Sequence, residues 1–249
     1  TTTAGSGSET DSAGVITKED TYEKAFIGAP SLYPSIAVVD PELMLSVPAG
    51  FTAFQGFDAL FHSIEGYIAN GANLMSDMYA LTAVENLAKY LPRAVKDGGD
   101  LEARTHVAFA NTLSGVVMCL TLITSEHGME HALSAYHPNL PHGAGLIMIS
   151  RAYFSYFVRN HACDERFIRL ARAMGMPEAD KPEDFLTALV RLQEACGVVG
   201  LKMSDYGIAF DEAEKFMRNA REVMGVMFTS DRVQMTDADI VRIYEESWR

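Results

Sequence analysis

Asp58 and His62 stand four residues apart in Gly56-Phe57-Asp58-Ala59-Leu60-Phe61-His62-Ser63-Ile64-Glu65, and four of the seven histidines, His127, His131, His137 and His142, fall within residues 127–142. On a helix, positions i and i+4 share a face, so Asp58 and His62 can offer a carboxylate oxygen and an imidazole nitrogen to one ion. A carboxylate in that otherwise apolar stretch is costly to bury without a partner. Taken alone, the spacing is more simply an exposed acid beside a hydrogen-bonded core histidine. His127, His131 and His142 reverse that balance by supplying further imidazoles. One carboxylate with two or three imidazoles suits Zn²⁺ or Fe²⁺ better than Ca²⁺ or Mg²⁺.

A rival pattern occupies the same window. His127-Gly128-Met129-Glu130-His131 has the H-x-x-E-H order of inverted zinc proteases, in which both histidines bind zinc and the glutamate is the general base. That hydrolase reading leaves Asp58, His62 and His142 without a role. A metal-free structural module with idle histidines is a third, non-enzymatic alternative. Pro141-His142-Gly143 places an imidazole just ahead of a small-residue helix start, where it can approach an ion closely. His137 beside Pro138 reads as loop surface, and His106 and His161 have no evident partner. The opening stretch Thr2-Thr3-Ala4-Gly5-Ser6-Gly7-Ser8-Glu9 offers hydroxyls and free backbone N–H groups that can approach a phosphate or an amide, although it is not a G-x-G-x-x-G turn.

These residues need elements to hold them. Up to Val47 the chain alternates short β-favouring runs, Val15-Ile16-Thr17, Ala25-Phe26-Ile27 and Ile36-Ala37-Val38-Val39, with Gly, Pro and Asp breaks. From Pro48 onward apolar residues recur at helical spacing. Helices are expected near 52–69, 74–95, 101–123, 127–135, 143–157, 165–174, 182–196, 210–224 and 237–248. Pro182 suits a first turn, Gly98-Gly99, Gly175 and Gly225 suit stops, and Thr236 with Asp239 reads as a capping box. The fold class is mainly α: an all-helical metal-binding domain, residues 48–249, preceded by a short β/loop segment, residues 1–47.

With 249 residues and 48% hydrophobic content the chain can build a sizeable core. The formal net charge of −13 argues against nucleic acid or an anionic membrane as principal partner, since either contact begins by neutralising phosphates. No apolar run approaches the roughly 18–20 residues of a membrane span, and a cytoplasmic location is the expectation. Cys119, Cys163 and Cys196 are far apart in apolar helical surroundings and are expected in the core. Phe54, Phe57, Phe61 and Tyr153 could narrow a pocket, but such residues are more often core.

In order along the chain, Thr2 to Glu9, Ala37-Val38-Val39-Asp40-Pro41, Gly56 to Glu65, His127 to His131 and Pro141-His142-Gly143 together resemble the iron-containing (group III) alcohol dehydrogenase family. The resemblance spans essentially the whole chain. It implies Asp58, His62, His127 and His142 as ligands of a divalent metal, Fe²⁺ foremost with Zn²⁺ also compatible. His131 matches a histidine near the nicotinamide that does not bind the metal. Thr2 and Ser6, the latter where the family commonly has Thr, match positions touching NAD or NADP, and Val15 and Lys24 match positions on its adenosine and ribose side. The implied reaction is reversible hydride transfer between a primary or secondary alcohol and NAD(P)⁺. The family pairs an N-terminal α/β nucleotide-binding half with a helical metal-binding half, so residues 1–47 would be the end of the first and the chain a fragment that binds metal without turning over alone. Dimerisation to a homodimer is consistent with the family but not derivable from these residues.

Overall fold

The computed structural model describes residues 1–248. Strands β1 (Ala13–Lys18) and β2 (Glu23–Gly28) form an antiparallel hairpin in the register Ala13↔Gly28 to Lys18↔Glu23. It coincides with two of the three expected β-favouring runs. The third, Ile36 to Val39, is not a strand, and Ile36 is 85% exposed. Branched apolar side chains favour a strand only where another strand and an apolar surface are available to pair with.

Helices α1 (Ala49–Ile68), α2 (Leu74–Lys96), α3 (Leu101–Thr121), α4 (Glu126–Tyr136), α5 (His142–Arg159), α6 (Asp164–Ala173), α7 (Glu183–Ala195), α8 (Ala213–Met224) and α9 (Asp237–Ser247) make up the rest of the core. Local chemistry fixes their ends. Asn73 and Ser76 form a reciprocal capping box at α2, and Thr236 and Asp239 do the same at α9. Pro48 and Pro182 stand at N-cap positions, and Gly175 follows α6 with a φ of 90°. Helix α3 ends earlier than its apolar pattern suggests, because Leu122 adopts a φ of 59° and turns the chain into the bend before α4. Among the described residues no single helix is long and apolar enough to cross a membrane.

The architecture is organised around α1, which is buried almost throughout from Thr52 to Ile68 and packs on α2, α3 and α5. Helix α4 lies against α5, α8 and β2, so the hairpin is docked beside the helix that carries three of the charged candidates. The loop before the hairpin is pinned to α3: the Gly7 N–H donates to Asn111 Oδ1 at 3.0 Å, and Asn111 Nδ2 and Thr112 Oγ1 donate to Glu9 Oε1 at 2.9 and 2.7 Å. The start of α5 meets α1 backbone to backbone. A Cβ on Gly143 would lie 2.1 Å from the Phe54 carbonyl oxygen, so only glycine lets the two helices approach this closely.

The expectation of three core cysteines holds for Cys196 alone: Cys119 is exposed and Cys163 is half-buried. Cys119 lies near the end of α3, where its thiol faces the Thr10 carbonyl and the Tyr33 hydroxyl on the outer side of the helix. An apolar sequence neighbourhood does not reveal which turn of a helix faces out near its end.

Candidate metal centre

Three helices converge on one carboxylate. Asp58, His62 and Glu65 share a face of α1, His127, Glu130 and His131 share a face of α4, and His142 is the first residue of α5. Oδ1 of Asp58 is surrounded by three imidazole nitrogens, Nε2 of His127 at 3.2 Å, of His142 at 3.5 Å and of His62 at 3.7 Å. Asp58, His62 and His127 each bring a donor atom within 4.8 Å of the others, and His142 joins them through Asp58. Donors around a tetrahedral ion with bonds of roughly 2.0–2.2 Å sit about 3.3–3.6 Å apart, so these separations match residues that would share one ion. The rings of His62 and His127 stack at 4.3 Å with an interplanar angle of 15°, which restricts either from turning away.

The far side of two rings is also engaged. Nδ1 of His127 donates to Glu65 Oε1, and Nδ1 of His142 donates to Glu130 Oε2. A carboxylate on Nδ1 fixes the ring orientation and leaves Nε2 facing the cluster, the arrangement that orients metal-binding histidines. Thr124 Oγ1 donates to Glu65 Oε2 at 3.1 Å, and behind it Ser125 donates to Asp231 through both its N–H at 3.0 Å and its Oγ at 2.7 Å. Side-chain exposure falls from 28% at His142 through 12% at Asp58 and 8% at His62 to 3% at His127.

The charges are strongly perturbed. Burial alone would raise the Asp58 carboxyl, but the three imidazoles outweigh it and hold the group well below the usual carboxylate range. Burial pushes His62 down to about 3 against the pull of Asp58. His127 is held up at about 10 because Glu65 and Asp58 overcome its burial, and His142 is raised in the same way by Glu130 and Asp58. A buried cluster that holds protons on imidazoles between carboxylates is one that attracts positive charge, and a divalent cation competes for the same nitrogens.

The sequence-derived residues separate cleanly. His131 is buried, with Nδ1 lacking any partner, and burial keeps it neutral by holding it well below the ordinary histidine range. Its ring lies edge-on to His127 at 6.5 Å and tilted against His142 at 5.2 Å. His127 and His131 fall into different donor groups, the second being Glu130, His131 and His142. Glu130 is occupied by His142 and by Lys24, whose Nζ lies 3.6 Å away, so the H-x-x-E-H pattern does not assemble a two-histidine centre with a free base. Lys24 reaches this cluster from β2 and donates to Ser134 Oγ at 2.7 Å. Thr2, Ser6 and Val15 are exposed, while a Cβ on Gly5, which lies between Thr2 and Ser6, would come 3.1 Å from Asp58 Oδ2.

His137 opens the loop after α4 as expected, but as the C-cap it is half-buried and pairs with Glu212 at 3.0 Å. His106 contacts Asn86 and stacks on Tyr90, and His161 pairs with Asp164, which the sequence reading overlooked. Phe57, Phe61 and Tyr153 are core, whereas Phe54 is half-buried where α1 meets α5. The residues that sequence reasoning missed are Glu65, Glu130 as a histidine partner, and Asp231. Glu65 was within reach, since its position two turns after Asp58 places it on the same face.

Residues 52–248 match the model of the Fe-containing alcohol dehydrogenase family, C-terminal part. The chain is 32% identical over 236 residues to the NAD-dependent methanol dehydrogenase of Bacillus methanolicus, covering 89% of this chain and 58% of that enzyme. It is 32% identical over 217 residues to the 1,3-propanediol dehydrogenase of Klebsiella pneumoniae, covering 82% of this chain and 55% of that enzyme. The crystal structure of an archaeal halo-thermophilic alcohol dehydrogenase from a Red Sea brine pool, bound to NZQ, superposes with a TM-score of 0.94 at 28% identity, over 99% of this chain and 62% of that one. The chain spans about half the length of the curated relatives it matches.

Proposed function

This chain belongs to the Fe-containing alcohol dehydrogenase family, and from that premise we propose that it carries the metal-binding machinery of an NAD(P)-dependent alcohol dehydrogenase. Asp58, His62, His127 and His142 hold a divalent ion, Fe²⁺ foremost, with Zn²⁺ also suited to the donor set. When bound, the ion supplies Lewis acidity that stabilises negative charge on the oxygen of the alcohol or aldehyde substrate. The observation that carries this reading is the convergence of three imidazole Nε2 atoms, from three helices, on the single oxygen Asp58 Oδ1 at 3.2–3.7 Å.

The chain's own residues divide the remaining work. Asp58 provides the one formal negative charge in the donor set, and Glu65 keeps the His127 ring turned toward it. His131, neutral and with an unpartnered buried nitrogen, is our candidate for the nicotinamide contact or for relaying the proton that accompanies hydride transfer. Thr2, Ser6, Val15 and Lys24 form the cofactor side, with residues 1–47 completing a nucleotide-binding half and residues 48–249 forming the helical half. The cofactor carries the hydride chemistry, and the protein's task is to set the substrate carbon against the nicotinamide.

Elemental analysis of the wild type beside Asp58→Ala and His142→Ala tests the proposal directly. One divalent ion per chain in the wild type, lost in both variants, is the expected result. Wild-type protein that retains no stoichiometric metal after anaerobic reconstitution overturns it.

A further inference from the structure

Glu130 is a fully buried carboxylate within reach of His142 and Lys24. Its Oε2 accepts from His142 Nδ1 and lies 3.6 Å from the Lys24 ammonium, while Oε1 has no partner. A second, independent feature shows that the fold makes room for it. A Cβ on Gly145 would lie 2.6 Å from Glu130 Oε1 and 2.7 Å from its Cγ, so the first turn of α5 is hollowed where the carboxylate sits. Gly145 follows His142 by three residues on the same helix, so the histidine and the hollow that receives its partner share one face. Lys24 already supplies positive charge to the group formed by Glu130, His131 and His142, which argues against a second ion there.

We propose that Glu130 is a positioning residue for metal binding: it locks the His142 ring with Nε2 toward Asp58, and Lys24 and the Gly145 hollow hold Glu130 in place for that task. The inference rests on the metal reading of Asp58, His62, His127 and His142. Two of the four donors would then depend on carboxylates behind them, Glu65 for His127 and Glu130 for His142. The two differ in setting. Glu65 is backed by the neutral Thr124 hydroxyl, whereas Glu130 is tied through Lys24 to the hairpin.

The test is Zn²⁺ affinity of the full-length protein, measured by competition with a chromogenic chelator, for the wild type, Glu130→Gln, Glu130→Leu, Gly145→Ala and the control Asp58→Ala, each checked for native helicity by circular dichroism. Glu130→Gln keeps an acceptor oxygen, Glu130→Leu fills similar volume without one, and Gly145→Ala leaves Glu130 intact but displaces its carboxylate. The expected order is wild type, then Gln, then Leu, with Leu about 10–100-fold weaker than wild type and Gly145→Ala also weakened. A role in filling space alone would leave Gln and Leu equal. Equal affinity of Gln and Leu, or wild-type affinity in both, overturns the inference even when Asp58→Ala loses the metal. Absence of Zn²⁺ binding by the wild type overturns the metal reading itself, and this inference with it. Should either Glu130 variant lose native helicity, the affinity of Gly145→Ala decides.

Discussion

His127 Nε2 lies 3.2 Å from Asp58 Oδ1, across 69 positions of sequence, and both side chains are buried at the meeting of α1 and α4. Asp58→Asn preserves the shape of this contact while removing its charge. Metal affinity is expected to fall by more than the roughly 10–100-fold typical of changes behind the ligands. Chelator competition on the folded variant measures this, and an unchanged affinity would remove Asp58 from the donor set.

Glu65 is expected to act through His127. Glu65→Gln should weaken metal binding by about 10–100-fold, because the amide offers the Nδ1–H a weaker acceptor and can also turn a donor toward it. Titration of the metal-free chain with Zn²⁺ reads the effect.

His131→Ala should leave metal content at the wild-type level, since its nitrogens belong to the other donor group. Turnover of the full-length enzyme is expected to drop by about 10²-fold or more, with a changed pH profile, if the ring handles a proton. Loss of the ion instead would revive the two-histidine hydrolase pattern.

Packing carries a prediction of its own at Gly143. The added Cβ of Gly143→Ala meets the Phe54 carbonyl, which is backbone and cannot swing aside, so α5 must move off α1. A stability loss of about 1–3 kcal/mol by urea denaturation is expected, together with weaker metal binding as His142 recedes.

Asp231 gives a pH dependence. Burial pushes its carboxyl up to about 7 from an ordinary 3.8, and the Ser125 and Tyr153 hydrogen bonds only partly oppose the shift. Below about pH 4 the group is protonated both folded and unfolded, so its ionisation has no effect on stability. As pH rises toward 7 the unfolded chain releases the proton first and stability falls, levelling off above that point. Asp231→Asn should therefore gain on the wild type by up to about 4 kcal/mol between pH 4 and pH 8. Denaturation curves that stay parallel across this range would show that Asp231 is already charged in the native fold at acidic pH.

Much of the scaffold was legible because it is written locally. Helical spacing placed α1 to α9 to within a few residues, and the Thr236 to Asp239 box is formed as expected. The spacing of Asp58 and His62 put both on one helix face, and it was the histidine window that pointed to a shared site and to the helices that meet it. What stayed hidden depends on distant partners. Nothing near Glu130 announces that it faces His142 instead of serving as a base, and nothing near Asp231 announces Ser125, more than a hundred positions away. The failed strand at Ile36 and the outward thiol of Cys119 have the same cause: local pattern states what a segment could pack against, and only the assembled fold decides whether that surface exists.

The graded exposure of the four donors gives the centre a front and a back. His62 and His127 are stacked deep between helices, whereas His142 is the donor most open to solvent, at the first residue of α5. An ion bound by the four proposed donors would therefore meet His142 first on its way in from solvent. If the four residues hold an ion, its exchange would wait on release of the His142 ring from Glu130, and residence time would become separable from affinity.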